Sequence, residues 1–74
     1  MNIKDVVDVN PKRMSGAPCF TGTRVPISHL FEYLQSGETL DEFLRQFPSV
    51  TRDQALAVLD LSKESLLANH EIAA

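Results

Sequence analysis

The sequence predicts a mainly α-helical domain in which a short N-terminal β hairpin, or arm, precedes a three-helix bundle with helix-turn-helix spacing. Before Pro26, short runs of β-forming residues alternate with turn signals such as Asn10-Pro11 and Ser15-Gly16. After Pro26, apolar residues recur with a helical period between capping and stop signals. We therefore expect one domain made of an arm over residues 1–25, a bundle over residues 26–69 and a short tail over residues 70–74.

The predicted arm contains three β-forming runs, which are Val6 to Val9, Ala17 to Phe20 and Thr23 to Val25. Such an arm is too small to enclose a core. We expect it to pack either on the helices of its own chain or on a second subunit.

Local signals predict the limits of the three helices. Apolar residues at positions 27, 30, 31 and 34 predict a first helix over residues 26–36, with Pro26 in its first turn and Gly37 as its C-cap. A capping box over residues 39–42 begins a second helix over residues 40–47, which Pro48 ends. A second capping box, over residues 51–54, begins a third helix that extends to about Asn69.

The third predicted helix carries two apolar stripes, whereas a surface helix of a monomer needs one. At 100° per residue, one side carries Ala55, Leu56, Leu59, Leu66 and Leu67, and the opposite side carries Val58, Leu61 and Ala68. Either the helix is wedged between the arm and the first helix, or one stripe docks another chain. For the second hypothesis we predict a partner or dimer interface at Val58, Leu61 and Ala68.

Composition restricts the ways in which 74 residues can be stabilised. The only cysteine excludes an internal disulfide, and one Cys with two widely spaced His does not supply a zinc site. Because so short a chain buries a small core, we expect a homodimer with no metal or cofactor. No apolar run approaches the roughly 20 residues of a membrane span, and the N-terminus lacks the order of a signal peptide, so we expect a cytoplasmic protein.

The segment from Gly16 to Arg24 invites two catalytic interpretations that its spacing does not support. Five residues separate its glycines where a phosphate-binding P-loop has four, and Thr23 follows the second glycine where that loop has lysine. Four residues separate Cys19 from Arg24, one fewer than in the cysteine phosphatase loop. We therefore expect no enzymatic activity and a buried, structural Cys19.

The same segment carries a motif that we expect to be structural, formed by Gly16, Pro18 and Gly22. Gly22 should supply a backbone angle that other residues avoid. Arg24 beside it would bind either a phosphate or a carboxylate of the helices.

The second and third helices have the lengths of a helix-turn-helix. In that arrangement the third helix would present its first turn to DNA, where arginine and glutamine read base edges. Asp53 in the same turn opposes phosphate binding, and a net charge of -3 does not favour non-specific binding to nucleic acid. The predicted DNA-binding residues are Arg13, Thr23, Arg24, Ser49, Thr51, Arg52 and Gln54.

A longer pattern begins with Asn10-Pro11 and the run Gly16-Ala17-Pro18-Cys19-Phe20-Thr21-Gly22-Thr23-Arg24-Val25-Pro26-Ile27. It continues with an amphipathic helix to Gly37 and with Phe47-Pro48-Ser49-Val50-Thr51. This pattern resembles the bacterial domain-of-unknown-function family 433. The resemblance covers about residues 3–62. It implies a homeodomain-like or winged helical fold and the role of antitoxin in a type II toxin–antitoxin pair. At Cys19-Phe20-Thr21 the sequence departs from the commonest form, which has aliphatic residues and an arginine.

The resemblance further implies that the chain binds and silences a PIN-like ribonuclease toxin and binds its own promoter DNA as a dimer. We expect an antitoxin-like DNA-binding regulator on this basis. The alternative, favoured by the acidic composition, is a helical protein-interaction adaptor that does not bind DNA.

Overall fold

The computed structural model describes residues 2–12 and 14–68. The chain is mainly helical, with a small two-stranded antiparallel sheet near its N-terminus, as predicted. In chain order the elements are α1 (Ile3–Val6), β1 (Val7–Asp8), a 3₁₀ turn (Met14–Gly16), β2 (Cys19–Phe20), α2 (Ile27–Gln35), α3 (Leu40–Gln46) and α4 (Arg52–Ala68). No helix in the described part of the chain is long and apolar enough to cross a membrane.

The hairpin joins β1 to β2, with Val7 opposite Phe20. On its other side, β2 bridges to Pro26 through Cys19. The backbone N–H of Phe20 donates to the carbonyl of Val25 at 3.0 Å. β2 is therefore the central of three extended stretches, and the Gly-Thr-Arg segment forms the loop between the second and the third.

The short helix α1 was not predicted. Asn2 caps it, since its side-chain oxygen accepts the backbone N–H of Lys4 at 3.1 Å. The helix directs Val6, which is fully buried, into the core. Four residues are too few to display a helical period, which explains why the pattern of the sequence did not reveal it.

The bounds of α2 and α3 confirm the predictions to within one residue. Thr39 caps α3, because its hydroxyl accepts the backbone N–H of Glu42 at 3.0 Å. The other half of the predicted capping box differs: the Glu42 carboxylate binds the side chains of Arg45 and Gln46 within the helix. A guanidinium one turn away is a stronger partner for a carboxylate than a neutral backbone amide.

At the start of α4 the predicted capping box is complete. The Thr51 hydroxyl accepts the backbone N–H of Gln54 at 3.1 Å, and the Gln54 side-chain oxygen accepts the backbone N–H of Thr51 at 3.0 Å. The predicted helix end at Asn69 and the predicted tail over residues 70–74 lie outside the described residues.

The core combines the arm and the helices of the same chain. Phe20 from the arm and Phe43 from α3 are fully buried, with ring centroids 6.0 Å apart. The remaining members of this core are Val6, Leu30, Val50, Ala55 and Val58. Of the two predicted arrangements, the described chain therefore adopts the one in which the arm packs on its own helices.

The orientation of α4 corrects one prediction. Val58, assigned from the sequence to a partner interface, is 4% exposed and belongs to the core. Leu56, assigned to the opposite stripe, is 46% exposed, and Leu67 on that stripe is 67% exposed. The buried face of α4 therefore takes one residue from each predicted stripe, Ala55 and Val58, and the predicted docking stripe does not face solvent at Val58.

Candidate functional site

The Gly-Thr-Arg loop begins with a tight turn at the end of β2. The backbone N–H of Thr23 donates to the carbonyl of Phe20 at 3.0 Å, which closes a four-residue turn. Gly22 has a φ of 80°, whereas Thr21 has a negative φ, a combination that defines a type II turn. A Cβ at Gly22 would meet no atom within 4 Å, so its φ alone favours glycine here, as predicted.

Thr23, a predicted DNA contact, fixes this turn from the inside. Its side chain is buried, and its hydroxyl donates to the carbonyl of Phe20 at 2.8 Å and accepts the backbone N–H of Val25 at 3.0 Å. Both roles of the hydroxyl are thus used within the loop. Thr23 therefore stabilises the loop, and its hydroxyl is not available to DNA.

Arg24 is exposed at the same loop. It forms no ion pair within the described part of the chain, so the salt bridge to the helices that the sequence allowed is not formed there. Its guanidinium is therefore directed to solvent, where an anionic ligand can reach it.

Gln54 connects the loop to the beginning of α4. Its side-chain nitrogen donates to the carbonyl of Thr21 at 3.0 Å, while its side-chain oxygen caps the helix. Both ends of the amide are therefore engaged within the chain and are not presented to a DNA groove. The hydroxyl of Thr21, next to this contact, is buried without a hydrogen-bond partner.

The other predicted DNA-binding residues differ in their surroundings. Ser49 and Thr51 are exposed in the connection before α4. Arg52 is exposed and forms an ion pair with Asp41 of α3. Arg13 lies outside the described residues. The structure thus brings the Arg24 loop next to the first turn of α4, with acidic groups beside the cations.

The predicted structural motif occupies the connection before β2. Gly16 has a φ of 80° at the end of the 3₁₀ turn, and Pro18 is exposed. Cys19 is buried, and its thiol donates to the carbonyl of Ala17 at 3.5 Å. The predicted burial of this thiol is therefore confirmed. No cluster of His, Cys, Asp or Glu suited to a metal ion occurs among the described residues.

An apolar groove lies between the arm, the start of α2 and the C-terminal half of α4, with a volume of about 700 Å³. We call it the arm groove. Among the described residues, no charged side chain lines it. Its walls are Ile3, Val7, Ala17, Pro18, Ile27, Ser28, Phe31, Val58, Leu61, Ser62, Ser65 and Leu66.

Two predicted interface residues differ in their position relative to the arm groove. Leu61 is half-buried in its wall, whereas Ala68 is exposed near the described end of α4. Sequence reasoning missed Ile3, which is 56% exposed at the margin of the groove. The only signal was an apolar residue among polar neighbours near the N-terminus.

A second surface, made of two leucines and two charged residues, lies on the opposite side of α4 and faces solvent. We call it the outer seam, formed by Leu56, Asp60, Lys63 and Leu67. Three of these residues border an open depression together with Asp53, Ala57 and Leu59. Lys63 and Asp60 form an ion pair at 3.4 Å within the helix.

Comparison with known proteins identifies the fold and the family. No curated protein matches the chain. A crystal structure of a DUF433 member protein from Anabaena variabilis ATCC 29413 is 23% identical and superposes with a TM-score of 0.71, covering 97% of this chain and 72% of that one. At this identity the likeness concerns the fold alone. The family model described as protein of unknown function (DUF433) matches residues 7–61, which is most of the chain. The chain therefore belongs to the DUF433 family.

Proposed function

We propose that the protein is a non-enzymatic regulator of the antitoxin type that binds a PIN-like ribonuclease through the arm groove. The observation that carries the proposal is the groove itself, an apolar concavity with no charged side chain among its described lining residues. Concave apolar surfaces of this size are the usual docking sites for a partner's side chains. The choice of a ribonuclease partner comes from the family resemblance.

The exposed apolar side chains at the margin of the groove support the same proposal. Ile3 is 56% exposed and Leu66 is 70% exposed. The hydroxyl of Ser62, on the α4 side of the groove, donates to the carbonyl of Val58 in its own helix. A partner that covers Ser62 therefore does not have to accept a hydrogen bond from it. A partner that covers this surface gains apolar burial without leaving a charge unpaired.

Inhibition of the ribonuclease tests this proposal. RNA cleavage by a purified PIN-like ribonuclease encoded beside this gene is measured with increasing amounts of the protein. The wild-type chain should suppress cleavage, and Ile3→Asp should weaken suppression at least tenfold, since it introduces a charge at the groove. Val9→Asp is the matched control, because Val9 is 57% exposed outside the groove. The absence of such a gene, or equal inhibition by both variants, would contradict the proposal.

DNA binding is the second candidate function, and the contact between Gln54 and the Thr21 carbonyl favours it. This contact keeps the Arg24 loop beside the first turn of α4, so that Arg24, Ser49, Thr51 and Arg52 lie in neighbouring segments. The ion pair of Arg52 with Asp41 opposes it, since phosphate must compete with a carboxylate. We therefore expect any DNA contact to involve few cations and to depend only weakly on salt.

Fluorescence anisotropy of the DNA upstream of the gene, beside a scrambled duplex, tests the second candidate. Preferential binding that is lost in Arg24→Ala and Arg52→Ala, but kept in Lys4→Ala, would support it. Lys4 provides the same change of charge on α1. Equal affinity for both duplexes would leave the adaptor alternative, in which the protein binds only other proteins.

A further inference from the structure

We infer that a second copy of this chain pairs with the outer seam of α4, with the two α4 helices antiparallel. This inference does not depend on the proposed function, because the outer seam and the arm groove lie on opposite sides of the helix.

The spacing of the outer seam is that of a coiled-coil interface. Leu56, Asp60, Lys63 and Leu67 follow one another at intervals of four, three and four residues, the alternation of d and a positions in a heptad. At 100° per residue they share an arc of about 60°. All four side chains are exposed, so no other part of the described chain covers them.

The charges on the seam select the antiparallel arrangement. When two copies pair about a centre between residues 61 and 62, Leu56 faces Leu67 of the second copy, and Asp60 faces Lys63 of the second copy. These are the a-to-d layers of an antiparallel coiled coil. A parallel pair would instead place Asp60 against Asp60 and Lys63 against Lys63, where like charges repel.

The symmetry of the seam also fits a second copy as its occupant. A two-fold interface must be self-complementary, and this seam has leucine at both ends and opposite charges in its middle. Residues 56 to 67 span about 17 Å of helix, so the interface is small. We therefore expect a weak, reversible dimer.

Charge exchange between copies gives a sharp test. Sedimentation equilibrium of the full chain measures dimerisation of the wild type, of Asp60→Lys and of Lys63→Asp. Each variant places like charges across both central layers and should weaken the dimer about tenfold. An equimolar mixture of the two variants should form a heterodimer to within a few-fold of the wild-type affinity, because opposite charges then face each other across the interface.

The mixture separates contacts between copies from contacts within one copy. Both variants lose the ion pair between Asp60 and Lys63 of their own helix, and mixing does not restore it. Recovery in the mixture therefore reports on the interface alone. The double variant Asp60→Lys with Lys63→Asp should dimerise like the wild type, because opposite charges still face each other across both central layers. Glu32→Lys, an exposed residue of α2, controls for net charge.

Leu67→Asp tests the apolar layers and should weaken the dimer about a hundredfold. Leu67 is 67% exposed, so the variant should keep the wild-type circular dichroism spectrum. A wild-type chain that stays monomeric at millimolar concentration would overturn the inference. So would a dimer that is insensitive to Leu67→Asp, or a mixture no tighter than its components.

Discussion

The two halves of α4 differ in what holds them to the rest of the molecule. The N-terminal half carries a complete capping box, a hydrogen bond to the Gly-Thr-Arg loop, and two buried side chains, Ala55 and Val58. The C-terminal half has no buried residue among its described positions and exposes Leu66 and Leu67. One helix therefore serves the core with its first turns and offers surface for binding with its last turns.

The largest expected effect lies in the first half of the helix. Val58→Asp places a charge in the core, where nothing pairs with it, and should cost about 4 kcal/mol or more. A domain of this size has roughly that much stability, so the variant should lose most of its helical circular dichroism at 25 °C. Leu67→Asp, the same charge on the same helix, is the control and should remain folded. A folded Val58→Asp variant would contradict the assignment of this residue to the core.

Gln54→Ala should have the second largest effect. It removes the acceptor for the backbone N–H of Thr51 and the donor to the carbonyl of Thr21, and should cost about 1–2 kcal/mol in urea denaturation. Gln54→Glu is the comparison, because it keeps the capping oxygen and loses the donor. A stability loss below about 0.3 kcal/mol in Gln54→Ala would show that the first half of α4 does not depend on these bonds.

Leu67→Ala should have little effect on the stability of the monomer. The side chain is 67% exposed, so its truncation should change the free energy of unfolding by less than about 0.5 kcal/mol at concentrations below dimer formation. Thermal unfolding at two concentrations measures this. If the dimer forms, the melting temperature of the wild type should rise with concentration more than that of the variant. A large loss at low concentration would mean that the C-terminal half also supports the core.

The smallest effect concerns an exposed ion pair of α3, which gives a baseline for surface contacts. The Arg45 guanidinium, followed by the Gln46 amide, lowers the pKa of the Glu42 carboxyl below its ordinary value of 4.5. Because the pKa is lower in the folded chain, the pair stabilises the fold above about pH 4.5, and this contribution is lost as the pH falls through the folded value. Thermal unfolding between pH 6 and pH 3 should show a slight dependence that Glu42→Gln lacks. Identical profiles would mean that the pair contributes nothing.

Sequence patterns predicted the helices because their signals are local. The Thr39 cap, the Thr51 capping box and the positive φ at Gly22 involve neighbours within three or four residues, so residue types alone indicate them. Burial of Cys19 was expected because free cysteine is among the most buried residue types. The short α1 was missed because four residues do not establish a period.

The candidate sites were harder to predict because they depend on contacts between distant segments. Gln54 matched the residue type of a base-reading side chain, but its amide is used by a carbonyl 33 residues away. Thr23 was in the expected loop, but its hydroxyl is used inside the turn. The arm groove needs walls from the arm, α2 and α4 together, and no single stretch of sequence contains them.

By itself, the sequence determined a mainly helical chain with an N-terminal hairpin, the limits of α2 and α3, the start of α4 and the turn at Gly22, since these follow from hydrogen bonds and backbone angles within a few residues. Only the tertiary structure decided which face of α4 is buried, and that face takes Ala55 from one stripe and Val58 from the other. Both stripes are apolar, so local propensity does not distinguish them. The choice depends on where Val6 and Phe20 of the arm meet the helix, because the face they cover loses contact with water and the other face keeps it.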